Sequence, residues 1–361
     1  MTGPNATERS SAVPLISVIV GAYSRRTYVA SAVRSVLDQR LPREAFEVLV
    51  LKNFEDPALD RWLEDEGVRR RFDPQQHIGR WVLGAIRDAR APIVTFLDDD
   101  DLYAPRRLER LIEVYRAHPD LGFYHNRTVV IDREGIPVPP ELWRTHEAAL
   151  DVPEEGWYIA SADKVERLPQ LIQAQMDFNL SSMALRREDA VGELASILEA
   201  AQYVPDLPVF LIGLLSPRGV FVDGQRLTCY RHHGRNRTMD LGWLRDAEED
   251  RRRLAAIARR RGPSAYADWI EGLADRFEKL VRIDSIGAGI RGRAPRRVIA
   301  ERALEYLRFL GRHPEERDLE AITWGIEVFA GAYLVSPDVT RRVRQARDGQ
   351  VERARRAQGF G

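Results

Sequence analysis

Residues 93–105 read IVTFLDDDDLYAP, an apolar run that ends in four consecutive acids. The first five residues predict a buried strand, Ile93–Leu97, and Pro105 favours the start of an amphipathic helix over Arg106–Ala117. Adjacent carboxylates repel one another, and a hard divalent cation carrying a diphosphate would relieve that repulsion. The alternative is an acidic helix N-terminus, which needs only one or two acids. We therefore favour metal binding by this run, and Asp101 is the acid for which capping alone is sufficient.

Strand-like and helix-like segments alternate on the N-terminal side of this run. Such alternation predicts a mostly parallel sheet with helices on both faces and a ligand site at the carboxyl ends of the strands. The acidic run lies at such an end. The expected strand–helix pairs are Leu15–Val20 with Tyr28–Leu37, Glu47–Leu51 with Pro57–Glu66, and Arg70–Phe72 with Arg80–Ala89.

The chain divides by pattern into three parts. Residues 1–13 are small and polar, and we expect them to be disordered. Residues 14–239 carry the alternating pattern, which continues with short strands after Leu121 and a helix near Arg187–Ala200. Residues 240–361 read as helical, with apolar stripes at helical spacing that indicate core packing. The prediction is an α/β domain followed by a helical C-terminal domain, whose helices are also a candidate homo-oligomer interface.

Composition restricts the classes of function. Lys+Arg and Asp+Glu both number 55, so the net charge of zero gives no bulk electrostatic case for nucleic-acid binding. The single Cys229 excludes an internal disulfide and a cysteine-based zinc site. No stretch resembles a signal peptide or a membrane span. We expect a cytoplasmic protein whose membrane contact, through the arginine-rich segment 341–356 at the inner membrane face, is at most peripheral.

Three stretches, taken with their order and spacing, resemble the family-2 glycosyltransferases. They are Pro14–Arg25 (PLISVIVGAYSR), Ala32–Gln39 (AVRSVLDQ) and Phe96–Pro105, and the resemblance extends from Pro14 to Thr238. It implies a GT-A-like, Rossmann-type sheet and an inverting, metal-dependent transfer of a sugar. The donor would be a nucleoside-diphosphate sugar, and the acceptor a hydroxyl on a glycan, a lipid-linked molecule or a small molecule. The implied cofactor is Mn²⁺ or Mg²⁺.

The resemblance also implies roles for particular residues. Asp98-x-Asp100 would supply the metal ligands together with His233, and Asp98 or Asp99 would meet the ribose or the sugar, although four consecutive acids leave the register open. Asn53 would contact the base in place of the usual acid, and Lys52 is either a surface residue or a phosphate or base contact. The residues that the resemblance places on the donor are Ala22, Tyr23, Arg25, Asn53, Gly79, Arg80, Asp98, Asp99 and Arg231.

Asp206 is the candidate general base of the implied reaction. It stands in Tyr203-Val-Pro-Asp-Leu207, where the family carries an acid at a helix start, and it would take the proton from the acceptor hydroxyl. The competing role is the N-cap of the helix that follows. Two other functions stay open: a nucleotidyltransferase, for which Gly21–Arg26 is a poor phosphate loop, and a catalytically inactive nucleotide-sugar-binding module, suggested by Lys52 and Pro205.

Overall fold

The computed structural model describes residues 13–139, 150–233 and 241–313, together with residues 322, 325, 326, 328 and 329. Predictions made for residues 1–12 and for the arginine-rich segment 341–356 lie outside the described residues. Within the described part of the chain, no helix is both long enough and apolar enough to cross a membrane.

The core of the protein is one sheet in the order β3-β2-β1-β4-β8-β6-β9-β5, with β7 on β9. Among the nine strands of the described residues, β1, β2, β3, β4, β6 and β9 run in one direction, and β5, β7 and β8 run in the other. The strands are β1 (Ile16–Ala22), β2 (Phe46–Lys52), β3 (Arg69–Phe72), β4 (Ile93–Asp98), β5 (Leu102–Tyr103), β6 (Leu121–Ile131), β7 (Trp157–Ile159), β8 (Met183–Arg186) and β9 (Gly219–Arg231).

Helices cover both faces of the sheet and continue alone after β9. The predicted mostly parallel α/β sheet with a helical C-terminal region is confirmed. The helices are α1 (Val29–Leu37), α2 (Pro57–Asp65), α3 (Ile78–Asp88), α4 (Arg107–Ala117), α5 (Leu168–Gln173), α6 (Arg187–Val191), α7 (Ala195–Ala200), α8 (Asp206–Leu215), α9 (Leu241–Arg261), α10 (Ser264–Arg291) and α11 (Arg296–Arg312).

Two details differ from the sequence-based expectation. The helix expected over 187–200 is two helices, since α6 ends at Val191 with Gly192 as its C-cap and α7 begins at Ala195. The two short strands expected between residues 122 and 132 are one long strand, β6. Part of its polar middle, which interrupts the apolar pattern, is nevertheless buried: Asn126 is 0% exposed and accepts a 3.1 Å hydrogen bond from the buried Arg107 of α4. A partner from a distant segment thus offsets the cost of burying these polar groups.

Alternation along β1 explains how the sheet holds helices on both sides. Val18 and Val20 pack with α1 and α4, whereas Ile19 packs with α3 and α8 on the other face. The hydrophobic cluster that contains Ile19 also contains residues of α9 and of the start of α10, such as Leu254 and Ile270. The division at residues 239 and 240 remains a prediction, and the first C-terminal helices share the core of the sheet.

Candidate active site

A cavity of about 400 Å³ lies at the carboxyl ends of β1 and β4 and at the start of α8. This is the edge where the alternating pattern places a ligand site. The predicted site residues that line the cavity are Tyr23, Arg25, Asp98, Asp99, Asp100 and Asp206.

The backbone fixes the acidic run as a tight turn at the end of β4. The Asp99 N–H donates to the carbonyl of Gly21 on β1 (3.1 Å), and the Asp101 N–H donates back to the Asp98 carbonyl (3.1 Å). The Asp101 carboxylate accepts a 2.9 Å hydrogen bond from the backbone N–H of Arg231 on β9. Asp101 therefore ties the turn to β9 and does not cap α4, whose N-cap residue is Arg106.

Arg25 supplies positive charge to this turn. Its Nη2 lies 2.5 Å from Asp99 Oδ1, and its Nη1 lies 2.6 Å from Asp100 Oδ2. The same Nη1 lies 2.8 Å from His233 Nε2, which is itself 3.0 Å from Asp100 Oδ2. The ring of His233 stacks on Tyr28 at a centroid distance of 5.6 Å. The loop after β1, the acidic turn and the end of β9 therefore meet around one carboxylate.

The electrostatics of the turn favour an additional cation. Burial, followed by the charge of Asp100, raises the pKa of Asp99 to about 7. Burial and the neighbouring acids also raise the pKa of Asp98 and the pKa of Asp101 well above the usual range for aspartate. One guanidinium therefore does not offset the charge of four clustered acids.

The donor atoms at the turn suit Mn²⁺ or Mg²⁺. Asp100 Oδ2 and His233 Nε2 already converge within 3.0 Å, and the cationic Arg25 lies against both. Carboxylate oxygens are ordinary ligands of both ions, whereas an imidazole nitrogen suits Mn²⁺ better than the hard Mg²⁺. Asp98, the third predicted ligand, does not join them in a compact set, since the one such three-ligand group in the described residues is Asp275, Glu278 and His313. In that group, Asp275 and Glu278 are held in ion pairs with Arg252 and Arg282, and His313 lies 3.2 Å from Asp275.

The structure does not support the interpretation of Asp206 as a helix cap. Helix α8 begins at Asp206 itself, after Pro205, and the Asp206 Oδ1 atom accepts a 2.6 Å hydrogen bond from the backbone N–H of Leu180. The carboxylate is thus bonded to another segment and is not the N-cap of its own helix. Burial is the largest cause that raises the pKa of Asp206 to about 6, and the charge of Asp177 contributes to the same rise.

One short turn connects the acidic run with Asp206. While Leu180 N–H bonds the Asp206 carboxylate, the Oγ of the next residue, Ser181, accepts from the Asp98 N–H at 2.9 Å. Asn179, which lines the cavity, begins this turn with a φ of 63° and caps it through its side chain. The turn therefore sets the position of Asp206 relative to the acids, and no feature of its sequence distinguished it from an ordinary strand start.

Lys52, the last residue of β2, and Asn53, which follows it, bond to other protein groups. Asn53 accepts from the Ser24 N–H at 2.7 Å and donates to the Ser24 hydroxyl at 3.2 Å, which holds Ser24 at a φ of 62°. Lys52 is 2% exposed and pairs with Asp60 at 2.8 Å, so it is not a surface residue. Neither Asn53 nor Lys52 lines the cavity. Asn53 shapes the loop that carries Tyr23 and Arg25.

Gly79 and Arg80 lie at the start of α3, outside the cavity lining. The Gly79 N–H donates to the carbonyl of Ala201 (2.9 Å), and the Arg80 N–H donates to the ring of His77. A Cβ on Gly79 would lie 1.9 Å from the carbonyl oxygen of Leu198. The geometry gives no support to diphosphate binding by these amides, because they already have acceptors; the glycine lets α3 approach the α7 backbone.

Two further residues that were predicted to contact the sugar donor have other neighbours in the structure. Arg231 donates to the carbonyls of Asp100 (2.7 Å) and Arg133 (2.9 Å), and its guanidinium lies 4.6 Å from the centre of the Tyr28 ring. Ala22 is fully buried among the residues that pack with α1. Arg231 therefore orients the acidic turn, and the side chain of Ala22 belongs to the core.

Aromatic side chains that the sequence did not single out form part of the cavity wall. Trp81 of α3 meets the Tyr23 ring edge to face at 5.6 Å, and Trp243 reaches the wall from α9. Each lies on the buried face of a helix, where its pattern is the same as that of a core residue. Only the tertiary contact separates the two roles.

Residues 17–194 match the sequence model of the family described as glycosyl transferase family 2. The segment contains β1, the acidic turn and Ser181, which are the structural basis of the cavity. This segment belongs to glycosyl transferase family 2. Asp206 and His233 lie beyond the matched segment, so their roles rest on the geometry given above.

The chain is similar to two uncharacterized glycosyltransferases. It is 24% identical over 206 residues to one from Haemophilus influenzae, a match that covers 53% of this chain and 64% of that protein. It is 26% identical over 124 residues to one from Nostoc sp., which covers 32% of this chain and 37% of that protein. The matches thus span less than two thirds of each relative.

Solved structures share the fold of this chain. S. aureus TarS has a TM-score of 0.51 at 14% identity, over 92% of this chain and 55% of TarS. S. aureus TarS 1–349 in complex with UDP-GlcNAc has a TM-score of 0.50 at 13% identity, over 95% and 90% of the two chains. The predicted GT-A-like fold is confirmed.

Proposed function

We propose that this chain transfers a sugar from a nucleoside-diphosphate sugar to a hydroxyl acceptor, with inversion at the anomeric carbon and with the help of Mn²⁺ or Mg²⁺. The observation that carries the proposal is the convergence of Asp98, Asp99 and Asp100 with Asp206 on one cavity, through the turn at Leu180 and Ser181. Membership of residues 17–194 in family 2 and the fold shared with a UDP-GlcNAc complex of TarS support the choice of donor.

The acidic turn serves the leaving group in this proposal. Asp100 and His233, with Asp98, would hold the divalent cation, and Asp98 or Asp99 would meet the ribose or the sugar. The bound cation would neutralise the charge that develops on the departing diphosphate. Arg25 adds a fixed positive charge at the same edge of the cavity. The rings of Tyr23 and Trp81 would then confine the donor between α3 and the acidic turn.

Asp206 serves the acceptor. Of the acids that line the cavity, Asp206 is the one that lies outside the acidic turn, at the start of α8. A pKa of about 6 leaves it ionised at neutral pH and makes it a stronger base than an ordinary aspartate. It would take the proton from the acceptor hydroxyl as that oxygen attacks, and a single displacement of this kind inverts the anomeric carbon.

Donor hydrolysis tests the activity without a known acceptor. The full chain is incubated with UDP-N-acetylglucosamine, UDP-glucose, GDP-mannose or dTDP-glucose, in Mn²⁺, in Mg²⁺ or in EDTA, and the released nucleoside diphosphate is measured. We expect slow release from at least one donor in the presence of a divalent cation and none in EDTA. Release in EDTA at the same rate would exclude a role for the cation.

The Asp100→Asn variant tests the metal assignment. We expect it to lose cation-dependent binding of UDP and GDP in calorimetry while the fold persists, since relief of carboxylate repulsion does not destabilise the turn. Asp163→Asn, at an exposed aspartate after β7, is the matched control. Unchanged Mn²⁺-dependent binding by Asp100→Asn would overturn the assignment. If the wild type binds a donor without hydrolysing it, the inactive binding module is favoured instead. If it releases pyrophosphate from a nucleoside triphosphate, the nucleotidyltransferase is favoured.

The remaining parts of the proposal concern the surroundings of the enzyme. They are a cytoplasmic location with at most peripheral membrane contact, and a homo-oligomer through the C-terminal helices. Cell fractionation with gentle salt washes tests the first, and light scattering of the purified chain tests the second. The proposal leaves the nucleotide base and the acceptor to the donor panel and to acceptor screening.

A further inference from the structure

Helix α9 reaches into the site from outside the segment that matches the family. Trp243 of this helix lines the cavity, and Asp250, two turns further along, is 1% exposed. The Asp250 carboxylate points at the backbone between α7 and α8. That backbone carries Tyr203, Val204 and Pro205, all of which line the cavity, directly before Asp206.

Asp250 holds this backbone through three consecutive amides. Its Oδ1 accepts from the Gln202 N–H at 2.8 Å, and its Oδ2 accepts from the N–H groups of Tyr203 at 2.7 Å and of Val204 at 2.9 Å. Arg253, one turn along α9, donates to Oδ1 at 3.0 Å. Both carboxylate oxygens are therefore used, in charge-assisted hydrogen bonds that are shorter and stronger than neutral ones.

The opposite side of the same segment is held by the start of α3. The Ile78 N–H donates to the Gln202 carbonyl at 2.9 Å, and the Gly79 N–H donates to the Ala201 carbonyl at 2.9 Å. The segment thus has its carbonyls fixed by α3 and its amides fixed by α9. Such a double restraint fixes where α8 begins and hence where its first side chain, Asp206, enters the cavity.

The residue after Asp250 contributes a charge to the same place. Arg251 is 7% exposed, packs 3.9 Å from the centre of the Phe277 ring and donates to the Ala247 carbonyl at 2.9 Å. The charged groups that act on Asp206 are Asp98 of the acidic turn, Asp177 before β8 and Arg251 of α9. Helix α9 therefore supplies both a clamp for the backbone and a positive charge near the carboxylate.

We infer that Asp250 is a positioning residue of the transferase, which holds residues 202–204 so that Asp206 meets the acceptor hydroxyl. The inference rests on the proposed function of Asp206 as the base. An asparagine at position 250 has one acceptor oxygen for three amides, and its NH₂ group would face at least one N–H donor. The segment would shift, and a misplacement of about 1 Å at a reacting group lowers turnover by about 10²-fold.

Variants of the full chain are compared in two assays. The first is hydrolysis of the donor that the wild type hydrolyses fastest, and the second is calorimetry with UDP and GDP. We expect Asp250→Asn to lower kcat by about 10²-fold while the affinity for the nucleoside diphosphate changes by less than about twofold. Asp250→Glu restores two acceptor oxygens and should recover part of the turnover. The neighbouring Glu249→Gln, on the exposed side of α9, should behave as the wild type.

A stability control separates positioning from folding. Leu254→Ala removes a buried side chain from the same helix and leaves the hydrogen bonds of Asp250 in place. It should lower the melting temperature, but kcat measured well below that temperature should equal the wild-type value. Loss of kcat in Leu254→Ala equal to that in Asp250→Asn, or wild-type kcat in Asp250→Asn, would overturn the inference. If Asp250→Asn does not fold, the kcat and the nucleotide affinity of Asp250→Glu are compared with those of the wild type instead. Absence of hydrolysis in the wild type would instead refute the proposed function.

Discussion

The Asp206→Asn variant gives the sharpest prediction, because one substitution should raise stability and lower activity. Asparagine has nearly the same size, and its carbonyl oxygen can still accept the hydrogen bond from the Leu180 N–H. It cannot take a proton from an acceptor hydroxyl. We expect donor binding to persist and transfer to fall by a factor of about 10²–10⁴, or roughly 3–5 kcal/mol of transition-state stabilisation.

The gain in stability follows from the raised pKa of Asp206. Burial brings that pKa to about 6 from an ordinary value of 3.8, so the folded protein favours the protonated carboxyl. The contribution of Asp206 to stability is therefore fully present below pH 3.8 and is lost as the pH rises through 6, where the folded state must hold a buried charge. A difference of about 2 in pKa corresponds to about 3 kcal/mol, which is the upper value for what the neutral asparagine recovers at pH 8.

Denaturant unfolding of both proteins from pH 4 to pH 8 measures this effect. We expect the stability advantage of Asp206→Asn to grow between pH 4 and pH 6 and to stay constant above that range. Single-turnover transfer, or donor hydrolysis until an acceptor is found, measures the activity of the same samples. An advantage that does not depend on pH would refute the burial argument, and turnover near that of the wild type would refute the role of Asp206 as base.

Two further variants test residues that lie outside the cavity. Asn53→Ala removes both hydrogen bonds to Ser24, so we expect affinity for UDP, GDP and dTDP in calorimetry to fall alike, by about fivefold or 1 kcal/mol; a changed ranking among the three would instead place Asn53 on the base. Gly79→Ala drives a methyl group into the Leu198 carbonyl, and we expect a loss of about 1–3 kcal/mol in denaturant unfolding together with lower turnover; wild-type stability would show that α3 can move away at no cost.

The local pattern of the chain was sufficient for the fold class. Alternation of apolar strands with amphipathic helices depends on neighbours within a few residues, and β1 to β4 with α1 to α4 lie within a few residues of their predicted places. The same reasoning failed where a segment depends on a distant partner. β6 reads as two strands because its middle is polar, and Arg107 of α4 and Thr228 of β9 supply partners that make the burial of Asn126 favourable.

The sequence by itself determined that an acidic turn ends a central strand and that an isolated aspartate follows at a later helix start. Those features are local in the chain, and their charge and spacing carry the chemistry. Tertiary structure alone decided which residues line the cavity and which hold its walls in shape. Arg231, Gly79 and Asp250 are of the types that bind phosphates or metals, yet backbone groups from distant segments occupy them. A buried polar group takes the partner that lies nearest in space, and that partner cannot be read from neighbours in sequence.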